Sequence, residues 1–267
     1  VPLAATPTAS AEFDVSTVKS ILAFSPNTPT PPEAIFKVPV VILFAADGIN
    51  LVNNSNITST AGKSENIGSY VGGGSQLTSA GTITMNDSDS IGMYTEEGKG
   101  TADNRGTINL TGAGATAVGM VAEGSASAIA TVKNNSTITA DNAVGMVALT
   151  GTGTSIGINA GTINVTTGTG VYVEGTYTGT GAVSVGANSI GVYGVNVGNI
   201  SQTGAPISVG AGAVGIYGAG TGTETMTVTA PNITVGTNKA VGAYGKDINM
   251  LVSGNMFVGA GKSVGNV

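Results

Sequence analysis

The chain has 267 residues with 43 glycines, no cysteine, no histidine and no tryptophan, and its 9 basic residues against 15 acidic ones give a net charge of −6. Charged side chains make up 9% of it, against about 25% in an ordinary soluble domain. Disulfides, thiolate or imidazole metal sites and histidine-dependent catalysis are excluded outright. A negative chain with one arginine, Arg105, also lacks the basic footprint that a nucleic acid requires. Each interior glycine costs a helix roughly 1 kcal/mol relative to alanine, so the composition reads as all-β.

Seven of the nine prolines fall within the first 39 residues, which sets residues 1–47 apart as a Pro-rich segment and cap. Within it, Val15, Val18 and Leu22 share one helical face behind Asp14 as N-cap, so Asp14 to Phe24 reads as a short amphipathic helix. The stretch SPNTPTPP at 25–32 reads as an extended connector, and Val38–Phe44 as a buried strand. The apolar run Val38–Ala46 is far shorter than the roughly 20 residues that a membrane span needs.

Residues 48–267 are repetitive. One element consists of a branched apolar residue, glycine, an apolar residue, then tyrosine or valine, as in IGMY (91–94), VGMV (118–121), VGMV (144–147), IGVY (190–193), VGIY (214–217) and VGAY (241–244). Its glycines stand at 68, 92, 119, 145, 170, 191, 215, 242 and 265, spaced 21–27 residues apart. A second element centred on Ile83, Ile108, Ile138, Ile163, Val183, Ile207, Ile233 and Met256 precedes each one. A looser apolar segment, such as Ile129–Val132 or Met226–Val228, lies between. Short strands returning in constant order, with Gly, Asn and Thr at the corners, describe a parallel β-helix (β-solenoid) of about nine 21–27-residue rungs. At one strand spacing per rung the rod would be on the order of 40 Å long. Asn104, Asn134 and Asn159 beside the second element are placed to form an amide ladder. The last residues, VGNV, fall inside a repeat element, so the chain is expected to be the N-terminal piece of a longer protein.

The pairing of N-x-G-T-I with V-G-M/I-Y/V at this spacing resembles the passenger domains of bacterial autotransporters (type V secretion), in particular the very large fusobacterial outer-membrane adhesins. The resemblance covers residues 48–267. It implies a right-handed parallel β-helix, carried by a C-terminal membrane barrel that this chain lacks and displayed at the bacterial outer membrane. It also implies attachment to a host-cell glycan or protein receptor, or to other bacteria. No binding motif transfers with it, because the repeats are scaffold.

Candidate sites therefore rest on the residues. Tyr70, Tyr94, Tyr172, Tyr193, Tyr217 and Tyr244 occupy the last position of the first element. If the branched residue and the apolar residue two later point inward, these rings form an outward stripe able to stack on sugars or anchor a protein. The competing reading is a structural ladder of stacked rings. The acidic patch Asn86, Asp87, Ser88, Asp89, Glu96, Glu97 and Asp103 has oxygen ligands for a cation but no ordered ligand spacing, so solvated corners are expected and no metal or cofactor is implied. Alternating Thr221 to Thr229, with Thr82/Thr84 and Thr137/Thr139, superficially fits an ice-binding grid, yet few rungs keep both threonines and strand preference accounts for them. Polysaccharide cleavage would need carboxylates with a basic partner. Only Arg105 beside Asp87, Asp89 and Glu96 approaches that, so the chain reads as non-enzymatic. The longest departures from the minimal rung, 72–81 and 122–133, are the expected recognition loops, alongside the stripe. The expectation is a surface adhesin; the alternative is a purely structural stalk.

Overall fold

In the computed structural model the described residues are 41–59, 66–95, 100–111, 116–124, 128–150, 154–196, 199–259 and 264–266. All their regular elements are strands. The helix expected at 14–24 and most of the N-terminal segment lie outside them, and so do Glu96 and Glu97. Of the strand expected at 38–44, the described part is Val41–Ala45, the first strand of a sheet. It is only alternately buried, with Ile42 and Phe44 44% and 57% exposed.

The strands form a right-handed parallel β-helix of about eight turns. Each turn contributes one strand to each of three faces. Face A is a ten-stranded parallel sheet that includes Ile67–Val71, Ile91–Thr95, Val118–Glu123, Ala143–Leu149, Gly168–Val173, Ile190–Val195, Val214–Ala219 and Val241–Lys246. Face B carries the looser segments, for example Thr101–Asn104, Ala130–Asn134 and Ser155–Asn159. Face C carries the second element, for example Thr107–Leu110, Thr137–Ala140 and Thr162–Val165. Two long strands, Thr225–Val235 and Asn249–Val258, run through B and C and join them into one sixteen-stranded sheet.

Register is kept from turn to turn. On face C, Ile57, Ile83, Ile108, Ile138, Ile163, Val183, Ile207, Ile233 and Met256 are successive backbone partners. Nearly all of them are completely buried, each worth about 2 kcal/mol of hydrophobic stabilisation. Left-handed residues recur two positions before the branched residue of face A, at Asp89, Asn142, Asn188 and Gly212. Asn, Asp and Gly tolerate that conformation best, which is why the turn into face A is rich in them.

The repeat glycine holds faces A and C together. A Cβ on Gly92 would lie 2.6 Å from the carbonyl oxygen of Gly119 and 2.9 Å from Ile108 Cγ2. On Gly191 the distances are 2.5 Å to the Gly215 oxygen and 2.7 Å to Ile207 Cγ2. The glycines are stacked in file, and the face C isoleucine fills the space that a side chain would take. Because glycine faces inward, the strict alternation of the strand breaks there. Val118 pairs with Val144 and Met120 with Met146, while Met120 joins the interior and Val118 joins a separate cluster on the outer surface of face A. The expected inward branched residue is therefore an outward one.

Replacing Gly92 or Gly191 by alanine should lower the urea or thermal midpoint by the equivalent of about 1–3 kcal/mol of overpacking. A Cβ on Gly48 would meet nothing within 4 Å, and only its positive φ of 76° opposes a side chain, so the Gly48→Ala variant should lose about 1 kcal/mol. Equal losses at all three positions would contradict the packing role.

Candidate functional site

The tyrosine column is continuous in register. Phe44, Tyr70, Tyr94, Val121, Val147, Tyr172, Tyr193, Tyr217 and Tyr244 follow one another as backbone partners on face A. The rings do point away from the main interior, but the stripe is not the open one expected. Tyr94 is fully buried, Tyr70 and Tyr172 are 6% and 7% exposed, and only Tyr193, Tyr217 and Tyr244 are half-buried. The physical reason is the glycine break. It puts Ile67, Ile91 and Val118 on the same side as the rings, and the two columns close over each other as a second apolar cluster.

The rings also occupy one another. Centroids are 5.0 Å apart for Phe44–Tyr70, 5.8 Å for Tyr70–Tyr94, 5.4 Å for Tyr172–Tyr193, 4.8 Å for Tyr193–Tyr217 and 5.3 Å for Tyr217–Tyr244. Two of these pairs are edge-to-face, the arrangement favoured by the ring quadrupole at about 0.5–1.5 kcal/mol per pair. Two hydroxyls end on glutamates: Tyr94 donates to Glu123 Oε2 at 2.7 Å, and Tyr172 to Glu174 Oε1 at 2.9 Å. Burial first, then the Glu174 charge, pushes the Tyr172 hydroxyl well above its ordinary value of 10.0. Burial and neighbouring Tyr217 raise Tyr193 as well.

The polar counterpart lies at the B–C corner, where the amide ladder forms as anticipated. Asn104 Nδ2 donates to Asn134 Oδ1 and Asn134 Nδ2 to Asn159 Oδ1, each at 2.8 Å, and all three residues are completely buried. The next position is Gly179, which has no side-chain amide. Tyr177, the one tyrosine outside the column, fills that gap. Its ring stacks above Gly157, and its buried hydroxyl donates to Gln202 Oε1 at 3.0 Å, one turn further on. Gln202 in turn donates to the Gly181 and Ala205 carbonyls. No repeat rule announces Tyr177; the missing side-chain amide at Gly179 is the available signal.

Each described acidic member of the patch has its own local partner. Asp87 is buried and accepts from Asn66 Nδ2 at 3.0 Å. Asp103, also buried, accepts from Arg105 Nε at 2.9 Å and from Asn135 Nδ2 at 2.7 Å. Asp89 is a left-handed corner residue whose amide donates to Thr116 Oγ1. Among the described residues no group of three or more acidic or imidazole side chains is disposed to hold a metal.

The threonines divide. Thr225, Thr227 and Thr229 point outward from one strand. Thr221 and Thr223 instead bind the exposed Glu224 carboxylate through Thr221 N at 2.8 Å, Thr221 Oγ1 and Thr223 N at 3.2 Å, holding its pKa at about 2. The described parts of the expected recognition loops are largely turns and strands of the stack. Residues 72–81 comprise a glycine turn and the strand Gln76–Ser79, and 122–133 includes the end of one face A strand and most of Ala130–Asn134.

Removing the middle of the ladder by Asn134→Ala strands a donor on Asn104 and an acceptor on Asn159. It should cost roughly 2–4 kcal/mol in denaturant unfolding, against roughly 0.5 kcal/mol or less for exposed Asn164→Ala. Alkaline titration gives a second check. The folded-state values of Tyr172, Tyr177 and Tyr193 lie above the unfolded value of 10.0, so their contribution is fully present below pH 10.0 and is lost as pH rises through the folded values. Phenolate absorbance should therefore lag behind that of free tyrosine until the protein unfolds, and Tyr177→Phe should remove part of the lag. No protein family matches the chain, and no curated protein and no solved structure match it either.

Proposed function

We propose that this chain is part of the non-enzymatic passenger of an autotransporter adhesin, displayed at the bacterial outer membrane for attachment to host glycans, host receptors or other bacteria. The carrying observation is the in-register stack, shifted once between Thr229 and Asn232, in which Asp87 and Asp103 are engaged in internal bonds and the interior is a continuous apolar column. Such a stack provides reach and resistance to unfolding rather than a reaction centre. The half-buried rings Tyr193, Tyr217 and Tyr244 and the exposed polar positions of faces B and C offer the contact surface.

A second reading, a stalk that only spaces a binding region located elsewhere, is favoured by the burial of Tyr70, Tyr94 and Tyr172. The purified chain applied to a glycan array and to epithelial and bacterial cells separates the two. Attachment that falls at least about tenfold in the folded double variant Tyr217→Ala/Tyr244→Ala supports adhesion through the open rings. Attachment unchanged in that variant places the contact on another face. Absence of attachment to every surface supports the stalk. Sustained polysaccharide degradation by the chain would overturn the non-enzymatic reading.

A further inference from the structure

The outer side of face C carries a file of neutral polar residues. From Thr58 to Thr234 the positions that follow the buried isoleucines and valines hold only threonine, serine and asparagine. Asn109 and Asn164 lie two turns apart in it, with Thr139 between them. Both open the triplet Asn-x-Thr, as Asn109-Leu110-Thr111 and Asn164-Val165-Thr166. That triplet is the acceptor signal for a sugar on an asparagine side-chain nitrogen. Its chemistry needs the hydroxyl two residues on to reach and polarise the carboxamide.

Nine of the 22 asparagines begin an Asn-x-Ser/Thr triplet, and the fold sorts them. In four the side-chain nitrogen is already committed. Asn53 Nδ2 donates to the Ser55 carbonyl at 2.8 Å and Asn86 Nδ2 to the Ser59 carbonyl at 3.0 Å, while Asn134 Nδ2 donates to Asn159 Oδ1 at 2.8 Å and Asn135 Nδ2 to Asp103 Oδ1 at 2.7 Å. After Asn56, Asn199 and Asn232 the hydroxyl residue lies within a strand, where extended backbone holds residues i and i+2 roughly 6.8 Å apart. At Asn109 and Asn164 the strand ends first, at Leu110 and Val165, and the following Thr111 and Thr166 are exposed. The chain folds back at Thr111, which donates to Asn109 Oδ1 through its amide at 3.0 Å and its hydroxyl at 2.7 Å. Both bonds fall on the oxygen, and neither uses the side-chain nitrogen. Asn164 is itself exposed.

The stack also limits how the rod can be hydrated. Like charges one strand spacing apart repel, and only 9% of the residues are charged. A neutral sugar adds bulk and hydroxyls at the surface without that repulsion.

We propose that Asn109 and Asn164 are acceptors for N-linked sugar on face C. The donor is a sugar carrying a phosphate-type leaving group on its anomeric carbon, and a glycosyltransferase brings the two together. Asparagine Nδ2 forms the new bond to that carbon, the bond from carbon to the phosphate oxygen breaks, and one proton of Nδ2 is lost as the phosphate departs. The inference stands on these triplets and their geometry, independently of the adhesin reading.

Glycopeptide mapping by mass spectrometry of the full chain, isolated from the cells that make it, tests this. Sugar is expected on Asn109 and Asn164, with Asn134 and Asn135 bare. A single hexose supports the proposal with a nucleotide sugar as donor, and a preassembled oligosaccharide supports it with a lipid-linked donor. With circular dichroism confirming the β spectrum, Thr111→Val and Thr166→Val should each abolish the sugar at the asparagine two residues before and leave the other site occupied. Thr111→Ser should keep it. Bare Asn109 and Asn164 in the native chain would overturn the proposal. So would sugar on Asn134 of the folded protein, or occupancy that survives both valine substitutions.

Discussion

The fold depends on one contact repeated in seven successive turns, from Gly68 to Gly215. A face C isoleucine or valine pushes its γ-methyl group into the space left by the hydrogen side chain of a face A glycine, while that glycine lies under the carbonyl of the next. This closes the cross-section to about the width that one aliphatic side chain can fill. It also ties the two repeat elements to each other, since neither a larger residue at the glycine nor a smaller one at the isoleucine preserves the packing. The spacing of the repeats varies between 21 and 27 residues because corners absorb insertions, whereas this contact does not vary.

Stacking identical positions also dictates how polarity is handled. A buried amide is tolerable only if its neighbours in the column can satisfy it. Asn134 is bonded on both sides by Asn104 and Asn159, only Asn104 Oδ1 at the start of the series is left without a bond, and where Gly179 interrupts the series Tyr177 and Gln202 restore the bonding. Charges obey the same logic, since like charges one strand spacing apart repel. Asp103 survives inside the stack with Arg105 and Asn135 as partners. A chain built under these rules carries few ionisable groups, 9% of its residues.

Much of the architecture is legible in the amino-acid order. The recurrence of glycine and isoleucine in fixed sequence carries the parallel stack, and the asparagines beside the second element carry the ladder. The direction of the branched residue is not legible. Ordinary alternation from Val118 to Met120 predicts two inward side chains, and an inward glycine breaks that alternation in a way that only the packing against Ile138 reveals. The same break hides the burial of the rings. Segments such as 72–81 look irregular because Gly73 and Gly74 mark a left-handed turn, yet the residues after them return to register. Tyr177 is hard to single out because it belongs to a gap in a pattern rather than to the pattern itself.

Since the chain has no cysteine, disulfide trapping measures the register most directly. Thr139 and Asn164 are backbone partners on adjacent turns and both face outward. At one strand spacing, about 4.8 Å, a T139C/N164C pair lies within the range that a disulfide can span. Oxidation followed by peptide mapping should show that bridge in nearly all molecules without loss of β-structure. Failure to form it, together with ready bridging of T139C to a cysteine placed several residues out of register, would contradict the stacked-turn account.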